Sequence, residues 1–406
     1  MTRPPQGTTM SALARVIAVI CAICLSLGAS LPYMSLWLES KRGLDGPQIA
    51  LILASAGIAR LVTGPLLMML PHRLGGEGRA LSLLAGVAAG FYALLWVAPG
   101  FSLLFLFAFI AQSCAAAAMP LVEAQALNAG RSGKIPYGPI RGAGSAAFIA
   151  GSVGVGWLVG QFGADAALAT AIFGLAATAI LAQGLPNAPA ARHRGPLGSA
   201  RATWRQIRQT FANRPIRWLF FTATIVQSSH ALYYSFGTPI WIKQGFAPDF
   251  IGLLWATGTG IEIIFLLLVE RYLKNIRAET WIALGGIGAI VRWLGLAFSP
   301  GPIFTLGLQS LHAATFAMTH IGTMKVIARE VPPAEVGGVA TLFFSVSTGT
   351  VIGSAMLACG PLYAQFGARA YVVMAALGAL GLGLTFVQRA QRSQTAPAAI
   401  AAPPIG

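Results

Sequence analysis

The sequence predicts an all-α membrane protein in which twelve transmembrane helices form two pseudo-symmetric bundles of six helices. Composition is the first observation behind this prediction: 56% of the 406 residues are hydrophobic, 9% are charged, and the mean hydropathy is +0.72. Soluble domains are about 25% charged. The second observation is a series of apolar stretches, each close to the ~20 residues that a helix needs to cross the hydrocarbon. The third is a basic linker that divides the chain into two similar halves.

Twelve apolar segments follow one another with short interruptions. They span residues 14–38, 47–70, 80–98, 101–128, 139–161, 164–185, 216–242, 249–270, 280–299, 302–328, 336–364 and 370–388. The first segment is too long for the core of a signal peptide and lacks a clear small-residue cleavage site, so we expect it to be retained. The predicted parts are a cytoplasmic tail (1–13), an N-terminal bundle (14–185), a cytoplasmic basic linker (186–215), a C-terminal bundle (216–389) and a disordered cytoplasmic tail (390–406).

The net charge of +16 could indicate nucleic-acid binding, and the positions of the charges decide against it. With both termini in the cytoplasm, most of the Lys and Arg fall on cytoplasmic segments, above all on the basic linker. The exceptions on the outer side are Lys41, Arg42, Lys243 and Arg369. The exceptions within apolar segments are Arg60, Arg141 and Arg292. This is the positive-inside bias that sets membrane orientation. We therefore expect a multi-pass protein of a bacterial inner membrane, with no nucleic-acid partner.

The two halves carry polar residues at matching positions. When Ile49 is aligned with Ile251, Arg60 aligns with Glu262. When Gln112 is aligned with Gln309, Glu123 aligns with His320. Internal repeats of this kind are typical of secondary transporters, whose substrate sites lie between the repeats.

The stretch between the fourth and fifth segments indicates a functional site. Glu123 lies near the end of the fourth segment, and Arg141 lies about one turn inside the fifth. A carboxylate and a guanidinium therefore face each other across adjacent helices. An ion at that depth costs about 2.5–3.5 kcal/mol, so such residues are kept for pairing or for function.

Other apolar segments carry further ionisable and aromatic side chains. They are Arg60, His230, Tyr233, Tyr234, Glu262, Arg292, His312 and His320. A single membrane His or Tyr more often makes an interhelical hydrogen bond, but a cluster on several helices favours one central site. Three arginines against two glutamates leave a surplus positive charge, which favours an anionic substrate because Arg binds carboxylate bidentately. Neighbouring aromatic residues, among them Trp255 and Phe316, would suit a flat apolar body.

Five stretches carry a recognisable pattern: YGPIRGAGSAAFIAGS, QSSHALYYSF, GLLWATGTGIEIIF, VRWLG and QSLHAATFAMTHIGTMKVIA. They resemble the major facilitator superfamily and, within it, the phenylpropionate permease group, a branch close to the oligosaccharide:proton symporters. The resemblance covers nearly the whole chain. It implies two six-helix bundles with alternating access to a central site.

The resemblance also implies roles for individual residues. Glu123 and Arg141 match the carboxylate and Arg that bind sugar in the lactose permeases. Glu262, Arg292 and His312 match members of the proton-coupling and binding network there. Two positions depart from the pattern, because the stacking Trp is replaced by Phe148 and the proton-carrying Glu by Thr315. A disaccharide substrate is therefore not expected.

The main hypothesis is a secondary active transporter that takes up a small organic acid, such as 3-phenylpropionate, together with protons. The predicted substrate-binding residues are Arg60, Glu123, Arg141, His230, Tyr234, Trp255, Arg292 and Phe316. The predicted proton-coupling residues are Glu123, Glu262, His312 and His320. Two alternatives stay open: a nucleoside or sugar:proton symporter and, from a different class, a non-transporting membrane sensor on a transporter fold.

Enzymatic activity is not predicted. The sequence has no locally supported Ser-His-Asp arrangement, no H-E-x-x-H and no nucleotide loop. The C-x-x-C formed by Cys21 and Cys24 lacks a second ligand pair and is expected to serve in packing. We expect no cofactor, no metal and a monomer whose partners are the small-molecule substrate, protons and the lipid bilayer.

Overall fold

The computed structural model describes residues 11–67, 69–132, 135–185, 208–273, 275–333 and 335–395. These residues form helices and turns, and no strand occurs among them. Apolar segments in a bilayer take this form because a helix satisfies every backbone polar group within the segment. Most of the predicted basic linker, and the greater part of both predicted tails, lie outside the described residues.

The N-terminal half is built from seven described helices. They are α1 (Ala12–Arg42), α2 (Gly46–Leu67), α3 (Leu70–Leu74), α4 (Glu77–Leu94), α5 (Gly100–Ser132), α6 (Tyr137–Phe162) and α7 (Asp165–Ala182). Gly43 ends α1 in the left-handed conformation (φ 62°), which a glycine adopts without steric cost. The second predicted segment, 47–70, corresponds to α2 and the first residue of α3, with residue 68 outside the described residues.

The C-terminal half is more interrupted. Its helices are α8 (Arg214–Ser228), α9 (Ala231–Lys243), α10 (Pro248–Tyr272), α11 (Ala278–Ala297), α12 (Pro302–Ser310), α13 (Thr319–Glu330), α14 (Val336–Phe344), α15 (Ile352–Phe366) and α16 (Tyr371–Thr395). One π-helix (Ala313–Met318) precedes α13, and a second (Ser345–Val351) joins α14 to α15.

Three predicted segments are therefore not regular α-helices. The segment 216–242 consists of α8 and α9, which are separated at Ser229 and His230. The segments 302–328 and 336–364 each contain a π-helix. Local π-helical turns are rare and frequently lie at functional sites.

Length and composition identify the chain as a membrane protein. Among the described residues, seven helices are long and apolar enough to cross a bilayer, and the last of them, Val336–Gln388, covers two predicted segments. The chain is therefore an all-α, multi-pass membrane protein, and the number of twelve crossings stays a prediction.

The two halves meet along two helix pairs. Helix α6 packs against α10, and α2 packs against α15, so the second predicted segment of each half contacts the fifth of the other. Small residues permit these contacts. A Cβ on Gly252 would overlap the carbonyl oxygen of Ser152, and a Cβ on Gly46 would lie 2.5 Å from the carbonyl oxygen of Gly360.

Candidate functional site

Helices α5 and α6 bring Glu123 and Arg141 together. Arg141 Nε lies 2.9 Å from Glu123 Oε1, and the Tyr137 hydroxyl donates to Glu123 Oε2 at 2.7 Å. Arg141 Nη1 also donates to Ser145 Oγ at 3.0 Å. Tyr137, Arg141 and Ser145 are spaced by four residues and share one face of α6. The ion pair predicted from the sequence is present, and its two side chains are 39% and 29% exposed.

Arg292 on α11 forms the centre of a second cluster. Its side chain is fully buried. Its Nη1 lies 3.0 Å from His312 Nδ1 and donates to Thr315 Oγ1 at 3.1 Å, and its Nη2 donates to Gln309 Oε1 at 2.6 Å. These three partners follow one another at intervals of three residues, from α12 into the π-helix. Among the described residues, no carboxylate forms an ion pair with Arg292.

Aromatic rings enclose the Arg292 guanidinium. Its carbon lies 4.7 Å from the centroid of the Tyr233 ring and 4.6 Å from that of Trp293. Cation–π contacts of this kind stabilise a cation more when water is excluded. Among the residues that the structure describes, the groups in direct contact with the Arg292 guanidinium are therefore neutral.

His312 connects Arg292 to Glu262 on α10. Arginine only donates hydrogen bonds, so His312 Nδ1 accepts and the ring proton lies on Nε2. This Nε2 lies 3.4 Å from Glu262 Oε2. Glu262 therefore reaches Arg292 through the ring of His312.

His230 lies at the break between α8 and α9 and is fully buried. Its Nδ1 is 3.0 Å from the carbonyl oxygen of Gln227, and its Nε2 is 3.0 Å from Thr315 Oγ1. The carbonyl can only accept, which places the ring proton on Nδ1 and makes Nε2 the acceptor. Thr315 Oγ1 accepts from Arg292, and its single proton has two acceptors within reach, His230 Nε2 at 3.0 Å and the carbonyl oxygen of His312 at 3.2 Å. Thr315 therefore lies between Arg292 and His230 and contacts both.

The predicted aromatic residues take two different positions. Trp255 is 3% exposed, stacks on Tyr233 at 4.3 Å and donates from Nε1 to Thr238 Oγ1 at 3.0 Å. These contacts hold the indole against Tyr233, and the predicted role of Trp255 in substrate binding stays a prediction. Tyr234 stacks on His230 at 5.6 Å and is only partly buried.

Phe316 and His320 follow His312 along the chain, and their rings stack one on another. The ring of Phe316 stacks on His312 at 5.6 Å and on His320 at 6.4 Å. His320 stacks in turn on Phe344 at 4.8 Å. The rings of His312, Phe316, His320 and Phe344 therefore form a continuous stack from the π-helix into α13 and across to Phe344.

The structure thus places most of the predicted site residues in two clusters, one around Arg141 and one around Arg292 that includes His312 and Glu262. Arg60 lies on α2, and its side chain is outside the described part of the structure. Three contacting residues were absent from the predicted site: Tyr137, Gln309 and Thr315. The spacing of four between Tyr137 and Arg141 is a signal that could have identified the first of them.

Two helix bundles that enclose charged side chains within a membrane protein define a secondary transporter. The chain matches the MFS_1 like family over residues 24–373 and belongs to that family, which makes it a transporter of the major facilitator superfamily.

Individual relatives agree with this assignment. The chain is 28% identical over 367 residues to a probable 3-phenylpropionic acid transporter of Escherichia coli (strain K12), across 86% of this chain and 91% of that protein. It is 24% identical over 325 residues to a maltose permease of Geobacillus stearothermophilus, across 80% of each. A variant of the nucleoside transporter NupG shares the fold, with a TM-score of 0.80 at 16% identity over 94% of this chain and 99% of that one. These relatives are transporters and not enzymes.

Proposed function

We propose that this transporter takes up a small aromatic carboxylic acid, such as 3-phenylpropionate, together with a proton. The observation that carries the proposal is Arg292, a buried cation whose hydrogen-bond acceptors are all neutral among the described residues. A buried charge without a counter-ion is unfavourable, so a carboxylate that reaches it would bind strongly. The relative described as a probable 3-phenylpropionic acid transporter supports the same substrate class.

Thr315 explains why Arg292 needs an external anion. The resemblance places a Glu at this position, whereas the residue here offers Arg292 a neutral hydroxyl at 3.1 Å. Arg141 differs, because Glu123 already neutralises it at 2.9 Å. We therefore assign the substrate carboxylate to Arg292, whereas the sequence suggested both arginines.

The aromatic residues around Arg292 suit the apolar body of such an acid. Tyr234 and Phe316 lie beside His230 and His312, and we assign them to the substrate ring. Trp255 stacks on Tyr233 at 4.3 Å, and we assign it to the same aromatic surface. The predicted roles of Arg60 and His230 in substrate binding are retained as part of this proposal.

Glu262 and His312 are the proposed proton-coupling pair. An anion at Arg292 would cancel a positive charge close to His312, which makes a proton on the Glu262–His312 pair more favourable. Linkage is reciprocal, so the bound proton would in turn strengthen anion binding. We infer that Glu123 and His320 act as further proton carriers as the two bundles rock. The positive-inside charge distribution supports a bacterial inner-membrane location with both termini in the cytoplasm.

A neutral hydroxylated solute is the second candidate substrate. The cluster of Tyr137, Glu123 and Arg141 offers hydrogen-bond donors and acceptors without a net charge, which suits the hydroxyl groups of a sugar or nucleoside. The maltose permease among the relatives supports this candidate. A sensor would bind either ligand without transporting it.

The test uses purified protein in liposomes that contain a pH-sensitive dye. We expect 3-phenylpropionate added outside to acidify the interior faster than in empty liposomes, which control for passive entry of the acid. Acidification with neutral sugars or nucleosides alone would favour the second candidate. Binding without acidification or flux would favour the sensor.

Glu262→Gln tests the proton assignment in the same liposomes. Because the amide cannot carry the proton, we expect proton-driven accumulation to fall by about 100-fold or more, the lower end of what a positioned proton-transfer group contributes. Exchange of labelled for unlabelled substrate should persist. Glu330→Gln, at the end of α13, is the matched control and should accumulate substrate normally. Unchanged accumulation in Glu262→Gln would contradict the assignment.

A further inference from the structure

We propose that Gln309 is the residue that makes the Arg292 site selective for carboxylates. Its amide occupies Arg292 while the site is empty, and it donates a hydrogen bond to the carboxylate when the site is filled. This inference rests on the proposed function and deepens it, because it names the subsite and the reason why an anion is preferred.

The first step is the contact between the two side chains. Gln309 Oε1 accepts from Arg292 Nη2 at 2.6 Å, and both side chains are fully buried. Because the guanidinium has no acceptor, the amide must present its oxygen and not its nitrogen. The contact itself therefore fixes the orientation of the amide.

The second step is that both residues keep an unused donor. Within the described part of the chain, Arg292 Nε and Gln309 Nε2 are buried without a hydrogen-bond partner. Buried donors in native proteins nearly always have an acceptor, and an unpaired one calls for an explanation. Two such donors on side chains that contact each other indicate a place for a missing acceptor.

The third step is the chemistry of that acceptor. A carboxylate has two oxygens with about four lone-pair sites and pairs with a guanidinium in a bidentate manner. It can displace Gln309 Oε1 from Arg292 Nη2, engage Nε as well, and accept from Gln309 Nε2 once the amide has turned over. A carboxamide has one acceptor oxygen and would turn an NH₂ group toward these donors. A carboxylate is therefore favoured over its neutral amide.

The same reasoning explains why position 309 carries an amide and not an acid. A Glu here would be a permanent counter-ion for Arg292, and a substrate anion would then meet a like charge. The amide satisfies Arg292 without neutralising it, so the positive charge stays available for the substrate.

The experiment measures binding of 3-phenylpropionate and of 3-phenylpropionamide to the purified full-length protein by titration calorimetry at neutral pH. In Gln309→Glu we expect affinity for the acid to fall by about 30-fold or more, since like charges in a binding site are strongly disfavoured. In Gln309→Met, which removes the donor at similar volume, we expect a loss of about fivefold. Affinity for the amide should change little in both variants.

Gln112→Glu is the matched control, because Gln112 occupies the corresponding position in the N-terminal half and donates to the carbonyl oxygen of Ile52 at 3.4 Å. It should not separate the acid from the amide. If Gln309→Glu lowers both affinities equally, or lowers neither, the role of Gln309 is wrong and the proposed function stands. If the wild-type protein binds neither ligand, the proposed function fails as well. Should Gln309→Glu fail to fold, unchanged acid affinity in Gln309→Met overturns the inference.

Discussion

Thr315 joins Arg292 to His230 through one hydroxyl group. Its Oγ1 accepts from Arg292 Nη1 at 3.1 Å and lies 3.0 Å from His230 Nε2. Thr315→Val keeps the shape of the side chain and leaves both partners buried without this contact, at a cost of about 1–3 kcal/mol. We expect affinity for 3-phenylpropionate, measured by titration calorimetry, to fall by about tenfold.

Thr319→Val is the control for that change. Thr319 is also fully buried, one turn further on, and its hydroxyl bonds the carbonyl oxygen of Thr315 at 3.0 Å. Both variants lose one buried hydroxyl. The Thr315 hydroxyl accepts from Arg292, whereas the Thr319 hydroxyl donates to a backbone carbonyl. Equal losses of affinity in the two variants would mean that Thr315 serves stability alone.

At the scale of single residues, the sequence identifies charges more readily than their partners. Glu123, Arg141, Glu262 and Arg292 are conspicuous because ions in apolar segments are costly. Gln309 and similar neutral residues are not, since they serve equally well in ordinary packing of membrane helices. Which of them touches Arg292 depends on how three helices approach one another, and this information is not local in the sequence.

At the scale of helices, hydropathy predicts where a segment lies but not where it is interrupted. The break at Ser229 and His230, and the π-helix Ala313–Met318, occur within continuous apolar stretches. The same apolar residues are compatible with α- and π-helical hydrogen bonding in the bilayer, so tertiary contacts decide. Thr315 belongs to the π-helix and lies 3.0 Å from His230 at the break, so the two interruptions meet at the site.

The start of α7 holds three parts of the N-terminal half together. Asp165 Oδ1 accepts from the indole nitrogens of Trp37 at 2.8 Å and Trp96 at 3.0 Å, and Oδ2 lies 2.7 Å from Lys41 Nζ. Asp165→Ala leaves the indole of Trp37, a buried residue of α1, without this acceptor. We expect the free energy of unfolding to fall by about 1–3 kcal/mol, measured as a lower melting temperature in detergent.

Asp249→Ala provides the comparison for this prediction. Asp249 also lies in the first turn of a helix, but its exposed carboxylate accepts from the backbone nitrogen of the adjacent Phe250 at 2.8 Å. Its removal should change the melting temperature much less. Similar shifts for both variants would indicate a general effect of first-turn acids and not the contacts of Asp165.

At the scale of the whole molecule, one cluster of polar contacts joins the two halves at their predicted outer end. Glu39 on α1 lies 2.7 Å from Lys243 Nζ at the end of α9, and it accepts from the Tyr363 hydroxyl of α15 at 3.0 Å. Lys243 Nζ also lies 4.6 Å from the centroid of the Tyr363 ring. The proposed alternating-access cycle requires these contacts to separate, so we expect them to stabilise the state that is closed at this end.

Lys243→Met removes the cation from this outer cluster. Exposed ion pairs contribute about 0.2–1 kcal/mol, so the ratio of open to closed molecules should rise by at most about fivefold. Spin labels at Phe162 and Phe298, exposed positions at the outer ends of the two halves, report the separation by pulsed electron resonance. We expect the longer distances to gain population in Lys243→Met.

Lys41→Met is the control that separates this effect from the loss of any outer lysine. Lys41 makes an ion pair of the same 2.7 Å length, but with Asp165 inside the N-terminal half. Breaking it alters the stability of one half and leaves the contact between the halves intact. A shift of the distance distribution in Lys41→Met as large as that in Lys243→Met would contradict the role of the outer cluster. The two variants differ in which elements their ion pairs join. A shift confined to Lys243→Met would therefore mean that the contact between Glu39 and Lys243 contributes to the ratio of open to closed molecules.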